Sequence, residues 1–153
     1  MLRQFTYIGW FVLLVAFAGV AILRYKVAIG PSILALMLVP LLGLFFAKRS
    51  FKRTIPDLIF GAIDTGILVV PALFGGLAYG IAGAIAGGVI GDALTDAIAG
   101  FCEGSIAKWL RDKGIEESRE PVTTSLGKMA GCLGGAGIIL SLFFIFGIQP
   151  EFA

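Results

Sequence analysis

The stretch from Gly76 to Gly104 reads GLAYGIAGAIAGGVIGDALTDAIAGFCEG, and small residues recur in it at every fourth position. Two such ridges run side by side: Gly80, Ala84, Gly88, Asp92 and Asp96 form one, and Gly83, Gly87, Gly91 and Thr95 form the next. Residues four apart stack on one helix face, so this helix has almost no side-chain bulk along one flank. In water each Gly would destabilise the helix by ~1 kcal/mol relative to Ala, whereas in a bilayer small residues let helices approach closely. The stretch therefore predicts a membrane-embedded helix with a tightly packing flank.

The composition of the whole chain supports a membrane protein. Of 153 residues, 58% are hydrophobic and only 14% are charged, and the apolar runs are long enough to cross ~30 Å of hydrocarbon. The chain has no His, which excludes His-based general-base catalysis and His-ligated metals. Its basic residues lie in loops that flank apolar runs, a distribution that signals topology and predicts no nucleic-acid partner. The bilayer is thus the first expected partner.

The hydrophobic pattern predicts an all-α fold, an integral membrane helical bundle of five transmembrane helices in a single domain. The spans cover about residues 5–23, 27–47, 57–74, 77–101 and 125–148, and the fourth helix extends to 113. Gly75-Gly76 is the predicted turn of a glycine-rich hairpin between spans 3 and 4, and span 5 is the expected packing core. The predicted helix-packing residues are Gly80, Gly83, Gly87, Gly88, Gly91, Gly127, Gly131 and Gly135.

The distribution of Lys and Arg predicts the orientation of the chain in the membrane. With five spans, ten basic residues lie on the side of the N-terminus and of the 48–53 loop, and two, Arg24 and Lys26, lie on the other side. Cytoplasmic loops carry the excess of Lys and Arg. We therefore expect a cytoplasmic N-terminus and an external C-terminus in a plasma or inner membrane.

Four charged residues are expected to meet in the inner half of the bundle: Asp64, Asp92, Asp96 and Lys128. Asp64 lies ~10 Å along span 3 from its start, and Asp92 lies ~22 Å along the antiparallel span 4 from its outer end, so their depths are similar. Buried charges at this depth cost several kcal/mol unless they are paired, protonated or hydrated, which makes them functional candidates. Further candidate ion-binding residues are Thr65 and Thr95 beside these carboxylates and Glu103 near the interface.

These residues predict a protein that binds or conducts a cation as a homo-oligomer. Oxygen ligands without His suit a proton, Na⁺ or a hard divalent cation such as Mg²⁺, Mn²⁺ or Ca²⁺, for which Asp64, Asp92 and Asp96 are the candidate metal ligands. We expect no other cofactor and no enzymatic activity. An alternative is a non-catalytic scaffold or subunit of a membrane complex, which docks partner helices through its glycine ridges.

A third alternative follows from a partial resemblance. Gly88-x-x-x-Asp92-x-x-x-Asp96 resembles the second half of the signature of the CDP-alcohol phosphotransferases, in which carboxylates hold divalent metals. The first half of that signature, D-x-x-D-G-x-x-A-R, is missing, because the chain reads GAIDTG around Asp64. The resemblance implies a metal-dependent lipid-headgroup transferase, which ranks behind the other two hypotheses.

The predicted topology is testable with reporter fusions. A reporter fused after Phe51 and one fused after Ala153 are expected to lie on opposite sides of the membrane, because three predicted spans separate the two sites. Alkaline phosphatase and a fluorescent protein, each active on one side only, measure this. Activity of the same reporter at both sites would remove one of the five spans.

Overall fold

The computed structural model describes residues 2–114 and 120–148, without the side chains of residues 99–104, 106 and 107. It contains the helices α1 (Leu2–Arg24), α2 (Ile29–Leu36), α3 (Leu38–Phe46), α4 (Phe51–Asp112) and α5 (Pro121–Ile145). No strand occurs in these two ranges, so the predicted all-α fold is confirmed.

The number of membrane-crossing helices differs from the prediction. Within the described ranges, four helical segments are long and apolar enough to cross a membrane, not five: Leu2–Arg24, Ile29–Phe46, Phe51–Ile98 and Pro121–Ile145. The difference arises because predicted spans 3 and 4 belong to one helical segment, α4, which is 62 residues long. A straight helix of that length would extend about 93 Å, roughly three times the thickness of the hydrocarbon core.

A reversal of the chain at Gly80 divides α4 into a first arm (residues 51–79) and a second arm (residues 81–112). Gly80 has φ 62° and ψ −146°, a conformation that glycine adopts without steric strain. The contacts prove the reversal, because a Cβ added to Gly75 would collide with the backbone of Gly83, and one added to Gly87 would collide with Pro71. The predicted turn at Gly75-Gly76 was therefore placed too early by about one helical turn.

Predicted span 2 is also interrupted. The structure divides it into α2 and α3 at Met37. The Met37 amide donates to the carbonyl oxygen of Leu34 at 3.2 Å, three residues back, whereas an α-helical bond would go four residues back. Pro40 explains the break, since it has no N–H to donate to Leu36 and its ring crowds that turn of the helix. Pro40 is buried, so the kink lies inside the bundle.

Helix α5 is the packing core, as predicted. It runs parallel to the first arm of α4, since Gly127 contacts Thr54, Gly131 contacts Leu58 and Gly135 contacts Ala62. It runs antiparallel to α2: a Cβ on Gly30 would lie 2.5 Å from the backbone of Leu140, and one on Gly137 would lie 2.5 Å from that of Leu34. Backbones therefore meet directly on two sides of α5, which explains its high content of buried small residues.

The turn before α4 and the start of α5 are joined by side chains. Arg49 forms an ion pair with Glu120, and the Thr123 hydroxyl donates to the same carboxylate at 2.8 Å. Beside them, Leu44, Val122 and Leu126 form a small apolar core. Tyr7 covers this core from α1 and donates its hydroxyl to the carbonyl oxygen of Gly43 at 2.7 Å. These contacts hold α1 and α3 against the start of α5.

The contact between the first arm and α5 predicts the effect of one added methyl group. The Cβ of a Gly135→Ala variant would collide with the carbonyl oxygen of Ala62, so we expect a loss of about 1–3 kcal/mol in the free energy of unfolding. Gly19→Ala is the matched control, because no atom lies within 4 Å of its added Cβ. The control should keep or gain up to ~1 kcal/mol from helix propensity. Denaturant titration in detergent measures both, and equal stabilities of the two variants would contradict the close contact.

Candidate ion-binding site

The two small-residue ridges of the second arm face directions about 100° apart, and only one of them lies fully against the first arm. Gly83, Gly87 and Gly91 press against the first arm, at Gly75, Pro71 and Leu68 in turn. Thr95, the next residue of that ridge, is 1% exposed. On the other ridge, a Cβ added to Gly88 would have no atom within 4 Å, and Asp92 and Asp96 are exposed. We call the Gly83–Thr95 ridge the inner ridge and the Gly88, Asp92 and Asp96 side the outer flank.

The register of the two arms places Asp64 opposite Thr95. The contacting pairs are Gly75 with Gly83, Pro71 with Gly87 and Leu68 with Gly91, and the next pair in this register is Asp64 with Thr95. Asp64 shares a helix face with Leu68 and Pro71, which both contact the second arm. The Thr95 hydroxyl donates to the carbonyl oxygen of Asp92 at 2.9 Å, within its own helix, and its lone pairs stay available as acceptors.

Asp64 lies deep in the span and is only partly solvated. It is about 16 Å along the helix from Arg53 and about 24 Å from the reversal at Gly80. The residue is half-buried, and its Oδ1 atom is buried without a hydrogen bond from any residue that the structure describes. An acceptor in this state calls for a proton, a cation or water, because an unsatisfied buried oxygen costs about 1–3 kcal/mol.

Lys128 lies close to this carboxylate along the helix axis. Its ammonium is 4.9 Å from the ring centroid of Phe60, which stacks one helical turn from Asp64 on the first arm. A cation over an aromatic ring is stabilised by about 0.5–2 kcal/mol. The Lys128 side chain is exposed, and its carbonyl oxygen lies beside Gly61. The meeting of Asp64 and Lys128 stays a prediction, and Phe60 is the neighbour of the cation among the described residues.

Asp92 and Asp96 do not join Asp64 between the arms of the same chain, contrary to the prediction from the sequence. Asp92 and Asp96 lie on the outer flank, at about 18 Å and 24 Å from the reversal, and both are exposed. The ~100° helical rotation per residue explains this, because both lie off the inner ridge that Thr95 belongs to. At the centre of a bilayer an Asp facing lipid costs about 2.5–3.5 kcal/mol, so these two side chains need a polar cover.

No metal centre forms from the residues that the structure describes. Nowhere among them do three Cys, Asp or Glu side chains lie close enough together to hold a metal ion. The predicted ligand set of Asp64, Asp92 and Asp96 is therefore not assembled within one chain, since only the first lies between the arms. Thr65 is half-buried next to Asp64, and the side chain of Glu103 lies outside the described part of the chain.

Asp57 is a buried carboxylate whose position the sequence did not predict. The predicted span 3 begins at residue 57, but α4 begins at Phe51, so Asp57 lies one to two turns inside the helix. It is 3% exposed, and its Cβ packs beside Gly127 of α5. The seven-residue spacing from Asp57 to Asp64 puts both on one helix face, and this was the available signal.

An apolar groove lies beside the site but offers nothing to an ion. It has a volume of about 710 Å³ between the two arms of α4 and α5. Its lining side chains are all apolar, among them Ile63, Ile67 and Ile138. The groove therefore supplies no polar ligand for a cation.

Comparison with known proteins adds no relative. No family model matches the chain, and no curated protein or solved structure is significantly similar to it.

The register of the arms can be tested by a disulfide. In a chain with Cys102→Ala and Cys132→Ala, the pair Asp64→Cys and Thr95→Cys is expected to form an intramolecular disulfide on mild oxidation. The glycine contacts hold the arms close enough for the 4.4–6.8 Å separation of Cα atoms that a disulfide needs. Loss of free thiols and mass spectrometry of the linked peptides measure the bond.

The control for this experiment is the pair Asp64→Cys and Asp92→Cys, whose second residue lies on the outer flank. It should keep both thiols under the same conditions. Linkage of the control and not of the first pair would show that the arms are rotated relative to the structure.

Proposed function

We propose that the protein binds or passes a monovalent cation, a proton or Na⁺, at Asp64. The observation that carries this proposal is a carboxylate oxygen, Asp64 Oδ1, that is buried at mid-depth of the span and accepts no hydrogen bond from the described residues. Membrane helices rarely hold such a group unless it serves a proton or ion pathway.

The groups around Asp64 favour a monovalent ion over a divalent one. Within one chain the oxygen ligands between the arms are the Asp64 carboxylate and the Thr95 hydroxyl, because Asp92 and Asp96 lie at a similar depth but on the outer flank. Ca²⁺ takes six to eight oxygen ligands and Mg²⁺ an octahedral set with carboxylates, and the described residues bring no third carboxylate to this point. A divalent ion remains a hypothesis for an assembly in which a second chain adds carboxylates.

Lys128 is the expected counter-charge of the site. Its ammonium lies one helical turn from Asp64 on the Phe60 ring, close enough that a small movement of the long side chain alters the charge near the carboxylate. When a cation occupies Asp64, repulsion favours the Lys128 position over Phe60.

The second candidate function is a membrane scaffold. It is favoured by the outer flank, where Gly88 leaves open space and two carboxylates face away from the rest of the chain. In a scaffold these residues would dock the helix of a partner, and Asp64 would have no part in transport. The predicted orientation, with a cytoplasmic N-terminus, is compatible with both functions. A lipid-headgroup transferase is less favoured, because its metal site would need several carboxylates at one point.

The test is ion flux in proteoliposomes. We expect the purified protein to pass H⁺ or Na⁺, measured with a pH-sensitive dye and with a Na⁺-sensitive dye. Asp64→Asn should reduce the flux at least about tenfold, because the amide neither exchanges a proton nor attracts a cation. Asp64→Glu should retain part of the flux, since it keeps the carboxylate.

Asp112→Asn is the matched control, because it removes an exposed carboxylate from the end of the same helix. It should conduct like the unmodified protein. Flux of Asp64→Asn equal to that of Asp112→Asn would refute the site, and an absence of flux from the unmodified protein would favour the scaffold.

A further inference from the structure

We propose that a second copy of this chain covers the outer flank, and that Lys128 of each copy pairs with Asp96 of the other. The proposal concerns the surface that faces away from the bundle, and it holds whether or not the protein passes an ion. Three properties of the described residues support it: the exposure of both groups, their similar depth and their opposite charge.

Both groups are exposed in a part of the chain that has to avoid lipid. Asp96 and Lys128 are exposed, and neither forms an ion pair with another residue that the structure describes. Each belongs to a segment that is long and apolar enough to cross a membrane. Charged groups in such segments face the interior of an assembly and pair with one another. A surface with such exposed charges therefore requires a polar partner, which lipid tails do not supply.

The depth of the two groups is similar. The register of the arms puts Asp96 level with residues 62–63 of the first arm, since Leu68 contacts Gly91 and Pro71 contacts Gly87. The backbone of Lys128 is level with about residues 55–58, since Gly127 contacts Thr54 and Asp57, but its ammonium lies over the Phe60 ring, 4.9 Å from the centroid. The ammonium is therefore about two or three residues from the level of Asp96, roughly 3–5 Å of helix rise, which the long Lys side chain spans.

Similar depth and opposite charge point to a second copy as the partner. Two copies of a membrane protein that share one orientation are related by an axis along the membrane normal, which keeps every residue at its own depth. A two-fold axis then brings the acid of each copy opposite the base of the other, and the interface contains the pair twice. An unrelated helix would need its own cation at this same depth, whereas the second copy has one by symmetry.

The shape of the outer flank permits this contact. Gly88 lies two helical turns from Asp96, and the open space beside it allows a neighbouring helix to approach closely. Asp92 lies between them on the same flank, one turn from Asp96. In the two-fold assembly it faces the second copy as well, so that all the charged groups of the flank leave the lipid.

Charge reversal tests the pair. Asp96→Lys and Lys128→Asp each place like charges opposite one another. We expect each to raise the dissociation constant of the dimer at least about tenfold over that of the unmodified protein. The double variant restores opposite charges and should return the constant to within about threefold. Sedimentation equilibrium in a mild detergent measures all three. Lys52→Asp, at the exposed start of α4, is the control and should dimerise normally. Normal dimerisation of both single variants, or a protein that is monomeric throughout, would overturn the proposal.

Disulfide trapping covers the case in which a charge-reversed variant fails to fold. Two differently tagged copies without Cys102 and Cys132 are co-expressed in membranes, one with Asp96→Cys and the other with Lys128→Cys. We expect a cross-linked heterodimer that carries both tags, and none when Lys52→Cys replaces Lys128→Cys. If a single chain that carries both cysteines forms only an intramolecular disulfide, the pair lies within one copy and the proposal is overturned. Ion flux plays no part in either readout, so failure of the proposed transport leaves this test unaffected.

Discussion

The close approach of helix backbones along the first arm of α4 is the constraint on which the rest of the structure depends. This arm contacts α5 through Gly61, Gly131 and Gly135, and it contacts the second arm through Gly83, Gly87 and Gly91. Lipid tails are as apolar as the side chains, so burial in a bilayer drives little helix association, and van der Waals packing of bare backbones replaces it. The small residues that destabilise a helix in water thus stabilise this bundle.

This packing decides which polar groups lie inside. Since the inner ridge has to press against the first arm, Thr95 is carried into the contact, and Asp92 and Asp96 are carried to the outside. Asp64 enters the same contact from the first arm because it shares a face with Leu68 and Pro71. Of these three acids, Asp64 therefore lies between the arms, and Asp92 and Asp96 lie on the surface. A single chain leaves those two carboxylates without a polar cover. The proposed cation site and the proposed dimer contact are two consequences of the same helix rotation.

Few large side chains lie between the helices of this bundle. Leu44, Leu126 and Val122 form a small apolar core at the start of α5, and the ion pair of Arg49 with Glu120 lies beside it. Farther along α5, backbone contacts at Gly30 and Gly137 take over from side-chain packing. Helix α1 has no buried residue and lies at the periphery, where its large apolar side chains suit contact with lipid or with another chain.

The sequence alone determined the all-α fold, the apolar segments, the hairpin and the central role of α5, because these follow from hydrophobicity and residue size along the chain. It did not locate the reversal, since Gly75-Gly76 and Gly80 both permit a turn, and only the pairing of the two arms selects Gly80. It also offered two small-residue ridges without indicating which one faces inward. That choice depends on contacts with Leu68 and Pro71, far away in sequence, and it decides that Asp64 lies inside while Asp92 and Asp96 lie outside.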